Sequence, residues 1–208
     1  MLEHEYTVLG GMNRARIGQY LAVVSACISG GVVFVLLSAV DLAKRLGVAA
    51  SLPPSVLSLT GAGSVFLVLY WFLDRYAWRW AWISRVLKVP DLSGDWNCVG
   101  QSLGSDGSIR HTWIGKVTIV QTFDRIRVRL KTSQSGSNST IAALILDEAD
   151  GYRLYYSYRN DPRIGEPELA SHRGTAEITF AKDLKSGLGE YVNSYGRSTS
   201  GRLTLTRA

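Results

Sequence analysis

The sequence predicts a membrane-anchored all-β protein, in which two N-terminal transmembrane helices are followed by a small eight-stranded antiparallel up-and-down β-barrel. Three observations predict it: two charge-free apolar runs between residues 20 and 73, period-two alternation after residue 90, and no convincing helical stretch beyond that point. The 208 residues suffice for one ordinary domain plus an appendage. The division falls after residue 90. Residues 1–90 comprise an N-terminal arm, both helices and a basic, aromatic juxtamembrane segment; residues 91–208 form the barrel.

Residues 20–40, YLAVVSACISGGVVFVLLSAV, are 21 positions without a charge. About 20 apolar residues at 1.5 Å rise cross a hydrocarbon core of about 30 Å, which predicts the first helix over about 18–40. The second, about 55–73, starts directly after the helix-breaking pair Pro53 and Pro54. The first run is longer than a secretory h-region, no A-x-A site follows it, and a second span comes at once, so a cleaved leader fits poorly. Basic residues flank the spans unequally: Arg14 and Arg16 before, Lys44 and Arg45 between, Arg75, Arg79, Arg85 and Lys88 after. That asymmetry puts both termini and the barrel on the cytoplasmic side. Trp78, Trp80 and Trp82 are the rings expected at headgroup level.

Only two cysteines occur, Cys27 in the first span and Cys98 in the barrel, so no disulfide is expected and a reducing compartment is. The net charge of +6 belongs mostly to the membrane flanks, where residues 1–90 carry 8 basic against 4 acidic side chains. A track for a long nucleic acid is therefore not expected. Ala22, Ala26 and Gly30 form a small-xxx-small ladder on one face of the first span, and Ser58 with Ala62 and Thr60 with Ser64 do so on the second. Small faces let membrane helices approach closely, which suits self-association.

Beyond residue 90, DRIRVRLKT is the cleanest strand: Ile126, Val128, Leu130 and Thr132 share one face, Arg125, Arg127, Arg129 and Lys131 the other. Strands are expected at about 93–103, 108–121, 124–133, 139–147, 152–160, 170–182, 187–194 and 199–206, joined by short turns such as Asp150-Gly151 and Ser186-Gly187. Eight strands with one apolar face and no covering helix close most economically into a barrel, which removes reactive edges; a sandwich is the alternative.

If the strands run up and down, the loops near 104–107, 134–138, 161–169 and 195–198 share the end far from the spans. That mouth collects His111, Trp113, Thr132, Ser133, Ser135, Ser137, Tyr158, Asn160, His172, Arg197 and Thr199, whereas the other end has Phe123, Leu146, Tyr152 and Phe180. Alternation with Leu154 turns Tyr156 and Tyr158 inward, and Trp113 joins them. Aromatic faces stack on nucleobases, Arg197 can fork onto a phosphate, and Ser and Asn supply hydrogen bonds, so a compact, anionic, base-bearing ligand fits. The same residues also fit a plain core, and SQSGSNS a flexible loop; the residues alone leave both open. A barrel carrying a lipid or small apolar molecule, or a scaffold for a protein partner, is the other class of reading. No nucleophile elbow, P-loop, HExxH or clustered Cys and His set occurs, so neither an enzyme nor a metal site is expected.

The order of strings VPDLSGDWNCVG, WIGKVTIVQTFDRIRV, the Ser-rich segment after KTS, YYSYRNDP, HRGTAEITF and GEYVNSYGRSTSGRLTL, preceded by paired spans, resembles the two-transmembrane β-barrel effectors of bacterial CBASS anti-phage systems. This is the CD-NTase-associated, SMODS-associated membrane β-barrel family. The resemblance implies a receptor of the bacterial inner membrane. A cognate nucleotidyltransferase makes a cyclic dinucleotide, the cytoplasmic barrel binds it, and the helices assemble into a homo-oligomer that disrupts the membrane and kills the infected cell. No cofactor is implied. It also implies a ligand role for Thr132, Ser135, Tyr156, Tyr158, Asn160, His172, Arg197 and Thr199; Trp113 follows from the strand topology alone.

Overall fold

The computed structural model describes residues 3–49, 51–147, 149, 151–165, 170–196 and 198–208. Two compact units emerge, Met1–Gly11 with Arg79–Ala208 as one and Met12–Trp78 as the other. The N-terminal arm, expected from the sequence to belong with the helices, groups instead with the barrel unit up to Gly11.

In the helical unit, α1 runs Arg14–Arg45, and its cap Asn13 accepts a hydrogen bond from the Ala15 amide at 2.8 Å. With a mean hydropathy of 2.4 over its most apolar window, it is long and apolar enough to cross a membrane. The second expected span is two helices, α2 (Pro54–Leu59) and α3 (Ala62–Arg75), each too short to cross alone. The break falls at Thr60 and Gly61, where α2 caps and α3 begins. The Thr60 hydroxyl donates back to the Val56 and Leu57 carbonyls at 3.1 Å, and the Thr60 carbonyl accepts from the Ser29 hydroxyl of α1. Backbone groups opened in an apolar medium need such partners.

The face of α1 turned toward α2 and α3 is therefore the Ser25 and Ser29 face, both buried. Ala22, Ala26 and Gly30 remain exposed, and an added Cβ at Gly30 would meet nothing within 4 Å. On the second span, Thr60 and Ser64 are half-buried, whereas Ser58 and Ala62 are exposed. Of the three tryptophans expected at the interface, Trp80 and Trp82 are exposed but Trp78 is wholly buried.

In the other unit, a 3₁₀ turn (Ala77–Arg79, its last residue in this unit) and α4 (Ala81–Leu87) lead into the sheet. The strands are β1 His4–Leu9, β2 Gly94–Leu103, β3 Ile109–Gln121, β4 Arg125–Thr132, β5 Ser135–Asp147, β6 Gly151–Pro162, β7 His172–Phe180, β8 Ser186–Tyr195 and β9 Thr199–Arg207. They close in the order β1-β4-β3-β2-β9-β8-β7-β6-β5. The barrel thus has nine described strands where the sequence reading counted eight. β2 to β9 form the expected antiparallel meander; β1 is inserted between β4 and β5, antiparallel to the first and parallel to the second. The Ser-rich segment is also strand: β5 starts at Ser135, and Ser137 and Ser139 are buried.

This topology gives the barrel two unlike ends. The chain leaves β1 and enters β2 at one end, which also carries the β3–β4, β5–β6 and β7–β8 turns. There the interior is filled: Trp96, Ile119, Ile126, Leu144, Leu154, Ile178, Phe180 and Leu205 are fully buried, with the Trp96 and Phe180 rings edge-to-face at 5.1 Å. Gln121, also buried, accepts from the Leu92 amide at 2.9 Å and donates to the Pro90 carbonyl at 3.1 Å, tying the lead-in of β2 to the floor.

Candidate functional site

At the opposite end the barrel is hollow. A cavity of about 700 Å³, within the usual range of small-molecule sites, opens where β2, β4, β6 and β8 end and β3, β5, β7 and β9 begin. Its space comes from a size mismatch between facing residues. Inward-facing Gly100 on β2 lies under the Trp113 ring of β3, where a Cβ would sit only 2.1 Å from the ring. Gly174 on β7 likewise lies against the Tyr158 hydroxyl, and Gly201 on β9 against the Tyr191 ring. Large side chains lean across glycines, and the axis stays open.

The walls are aromatic. Trp113 and Tyr191 meet edge-to-face at 6.1 Å, and Tyr156 and Tyr158 lie 5.9 Å apart. Burial pushes the Tyr156 and Tyr158 hydroxyls well above the ordinary phenol range, so both are neutral donors.

Between the rings runs a ladder of polar groups. Tyr158 donates to Asn193 Oδ1 at 2.7 Å, and Asn193 Nδ2 donates to Thr199 Oγ1 at 2.8 Å. The Ser102 and Tyr191 hydroxyls pair at 2.8 Å. Thr132 Oγ1 accepts from the Ser135 amide at 3.0 Å and so shapes the tight β4–β5 turn. His172, buried, directs Nδ1 at the Ala170 carbonyl at 3.0 Å, leaving Nε2 for the cavity. Asn160 and Ser137 are buried cavity-lining residues whose side chains make no hydrogen bond among the described residues. With no protein partner, their polar groups are available to hydrogen-bond whatever fills the cavity. The described lining holds no Asp, Glu, Lys or Arg, so nothing there repels an anion.

Trp113, Thr132, Ser135, Tyr156, Tyr158, Asn160, His172 and Thr199 all line this one cavity. Arg197 lies outside the described residues. Ser102, Tyr191, Asn193 and Leu203 also line it and were missed by sequence reasoning. On β8 the hydrophobic residues misdirect: Leu188 and Val192 face outward, 67% and 53% exposed, while Gly187, Gly189, Tyr191 and Asn193 face in. The usable signal was the alternation of glycine and polar aromatic positions.

Residues 87–207 match the family model described as Cap15, cyclic dinucleotide receptor domain, and residues 15–79 match Cap15, TM helices. The chain belongs to the Cap15 family. It is 41% identical over 207 residues to the CD-NTase-associated protein 15 of Yersinia aleksiciae, an alignment that covers 100% of this chain and 98% of that one. A Staphylococcus schleiferi protein of the same name is 28% identical over 153 residues, covering 73% of this chain and 79% of its own. Membership in the Cap15 family agrees with the resemblance drawn from the sequence, with membrane anchoring through the helical unit, and with a β-rich receptor domain. The cavity lies wholly inside the receptor-domain match.

Proposed function

We propose that the hollow half of the barrel binds a cyclic dinucleotide made by a cognate nucleotidyltransferase. Binding favours an arrangement in which the membrane helices of several copies assemble, and the assembly disrupts the inner membrane of an infected cell. Trp113, Tyr156, Tyr158 and Tyr191 stack on the bases; Asn160, Ser137 and Thr199 meet the polar edges; His172 Nε2 approaches a phosphate. The chain acts as a receptor and not as an enzyme, needs no cofactor, and keeps both termini cytoplasmic. Assembly uses the Ala22, Ala26 and Gly30 face, which its own second span leaves exposed.

One observation carries the reading: the Asn160 carboxamide, without a hydrogen-bond partner among the described residues, faces a 700 Å³ cavity walled by aromatic rings. A lipid carrier would leave that carboxamide unpaired against hydrocarbon, at a cost of about 1–3 kcal/mol. The test is a thermal-shift screen against cyclic dinucleotides of every base pairing and linkage. It uses the full chain, because residues 91–208 alone lack β1. The reading expects one member to raise the melting temperature; a flat response across the panel, with fatty acids stabilising instead, contradicts it.

A further inference from the structure

β1 is the anomalous element of the barrel. β4 and β5 follow one another through a tight turn, yet they pair only where Arg129, Leu130 and Lys131 face Asn138, Ser137 and Gly136. Below that fork they diverge, and β1 fills the gap. His4 and Glu5 face Ile126 and Arg125, while Tyr6 to Leu9 run parallel to Ala142–Ile145. Parallel pairing is slightly the weaker kind.

The fork is already satisfied by side chains of β4 and β5. Ser139 Oγ accepts from the Val128 amide at 2.9 Å, and the Arg127 guanidinium grips Asn138 Oδ1 at 3.1 and 2.7 Å. At the fork β4 and β5 thus hold one another directly, and β1 joins them only below it. Besides its backbone pairing, β1 is held by side chains that include His4 and Tyr6. His4 Nε2 lies 2.7 Å from Ser139 Oγ. Tyr6, 3% exposed, donates to the Thr122 carbonyl at 3.3 Å and accepts from Gln121 Nε2 at 3.2 Å. Thr7 faces out, and Leu9 is half exposed. Directly after β1 comes Gly10, at φ +81, and then Gly11, where a Cβ would meet Val8 Cγ1 at 2.6 Å. At φ +81 Gly10 makes a turn that side-chain-bearing residues rarely adopt, so the strand ends there.

We propose that β1 is a removable strand, and that the cleft between β4 and β5 is an interaction surface occupied, in the assembled protein, by β1 of a second copy. A vacated cleft exposes the ladder edge of Ala142–Ile145, which accepts an extended strand. The Gln121 socket is shaped for a phenol in the register of Tyr6, which every copy carries. Copies held side by side in one bilayer meet at high effective concentration, the condition under which exchange competes with self-pairing. Passed from copy to copy, the strand makes a heterologous contact that closes as a ring or continues as a filament. The inference rests on the proposed ligand-driven assembly, which supplies the neighbours.

The experiment uses full chains in liposomes in a Cys27→Ala background; Cys98 is buried and stays. One tagged chain carries Thr7→Cys and a differently tagged chain Ala143→Cys, register partners on adjacent strands, where spacing permits a disulfide. Adding the cyclic dinucleotide selected by the thermal screen, with mild oxidant, should link the two tags. A Thr7→Cys and Leu188→Cys pair controls for collision and should stay at background. A single chain carrying both Thr7→Cys and Ala143→Cys, oxidised before the probe is added, should bind it as the unlocked chain does yet lose assembly until reduced. Unlocked chains that assemble without linking the tags above the control, or locked chains that assemble normally, overturn the exchange alone. An unmodified chain that neither binds nor assembles overturns the functional reading with it.

Discussion

The two halves of the barrel are built from the same strands by the same alternation, yet one is solid and the other hollow. In the solid half inward positions hold Trp96, Ile119, Leu144, Leu154, Ile178 and Phe180, which interlock at the density of a protein interior. In the hollow half those same strands present Gly100, Trp113, Ser137, Tyr158, Asn160 and Gly174. Glycines opposite large rings prevent the interior from closing, and polar side chains keep it wet. Stability and recognition are thus divided along the strand axis: one end supplies apolar burial and the other gives some of it up for a site.

The sharpest way to break that division is to swap consequences between the halves. Trp96→Ala, in the solid half, removes a wholly buried ring and should cost about 3–5 kcal/mol by denaturant unfolding. Trp113→Ala, in the hollow half, should weaken cyclic dinucleotide binding by about 1–3 kcal/mol, or about 5- to 150-fold by calorimetry, with a far smaller loss of stability.

Cys98, buried beside the solid half's core, gives the barrel a pH dependence. Burial pushes its thiol from the ordinary 9.0 up to about 12. Above pH 9 the unfolded chain therefore releases a proton that the barrel retains, so this contribution is intact below pH 9 and is lost as pH rises toward 12. Stability should decline by at most about 1.4 kcal/mol per pH unit there, and Cys98→Ala should flatten the decline between pH 9 and 10 in denaturation curves. The smallest effect belongs to Asn160→Ala. It should lower affinity by about 0.5–1.5 kcal/mol while leaving the melting temperature of the free chain unchanged, because no hydrogen bond within the described protein is lost.

β2 to β9 were legible in the sequence because each runs between Gly, Ser or Asn turns and pairs with its neighbour in the chain. β1 was not: His4–Leu9 is short, carries Glu5, precedes a membrane helix, and finds its partners more than a hundred positions away. Strand β5 was cut short for a different reason. Its Ser and Asn positions read as a turn because polar, small residues usually mark one, but here they are polar because they face a cavity. The interruption of the second span at Thr60 and Gly61 was hidden by uniform apolarity around it; the Ser29 contact and the Thr60 hydroxyl together satisfy the opened backbone. Most of the cavity wall was found by topology: once alternate turns share an end, His111, Trp113, Tyr158, Asn160 and His172 must converge. Tyr191 and Asn193 escaped because Leu188 and Val192 beside them look like the core face and are not.

The account depends on where the ligand sits. A photoreactive, base-azido cyclic dinucleotide, bound to the full chain in liposomes and crosslinked by light, reports that position when the labelled peptides are sequenced. Crosslinks are predicted on Trp113, on Tyr156 or Tyr158, and on Tyr191, all suppressed by unlabelled ligand. Competable crosslinks confined to outward residues such as Leu188 or Val192, or to the solid half, would contradict it.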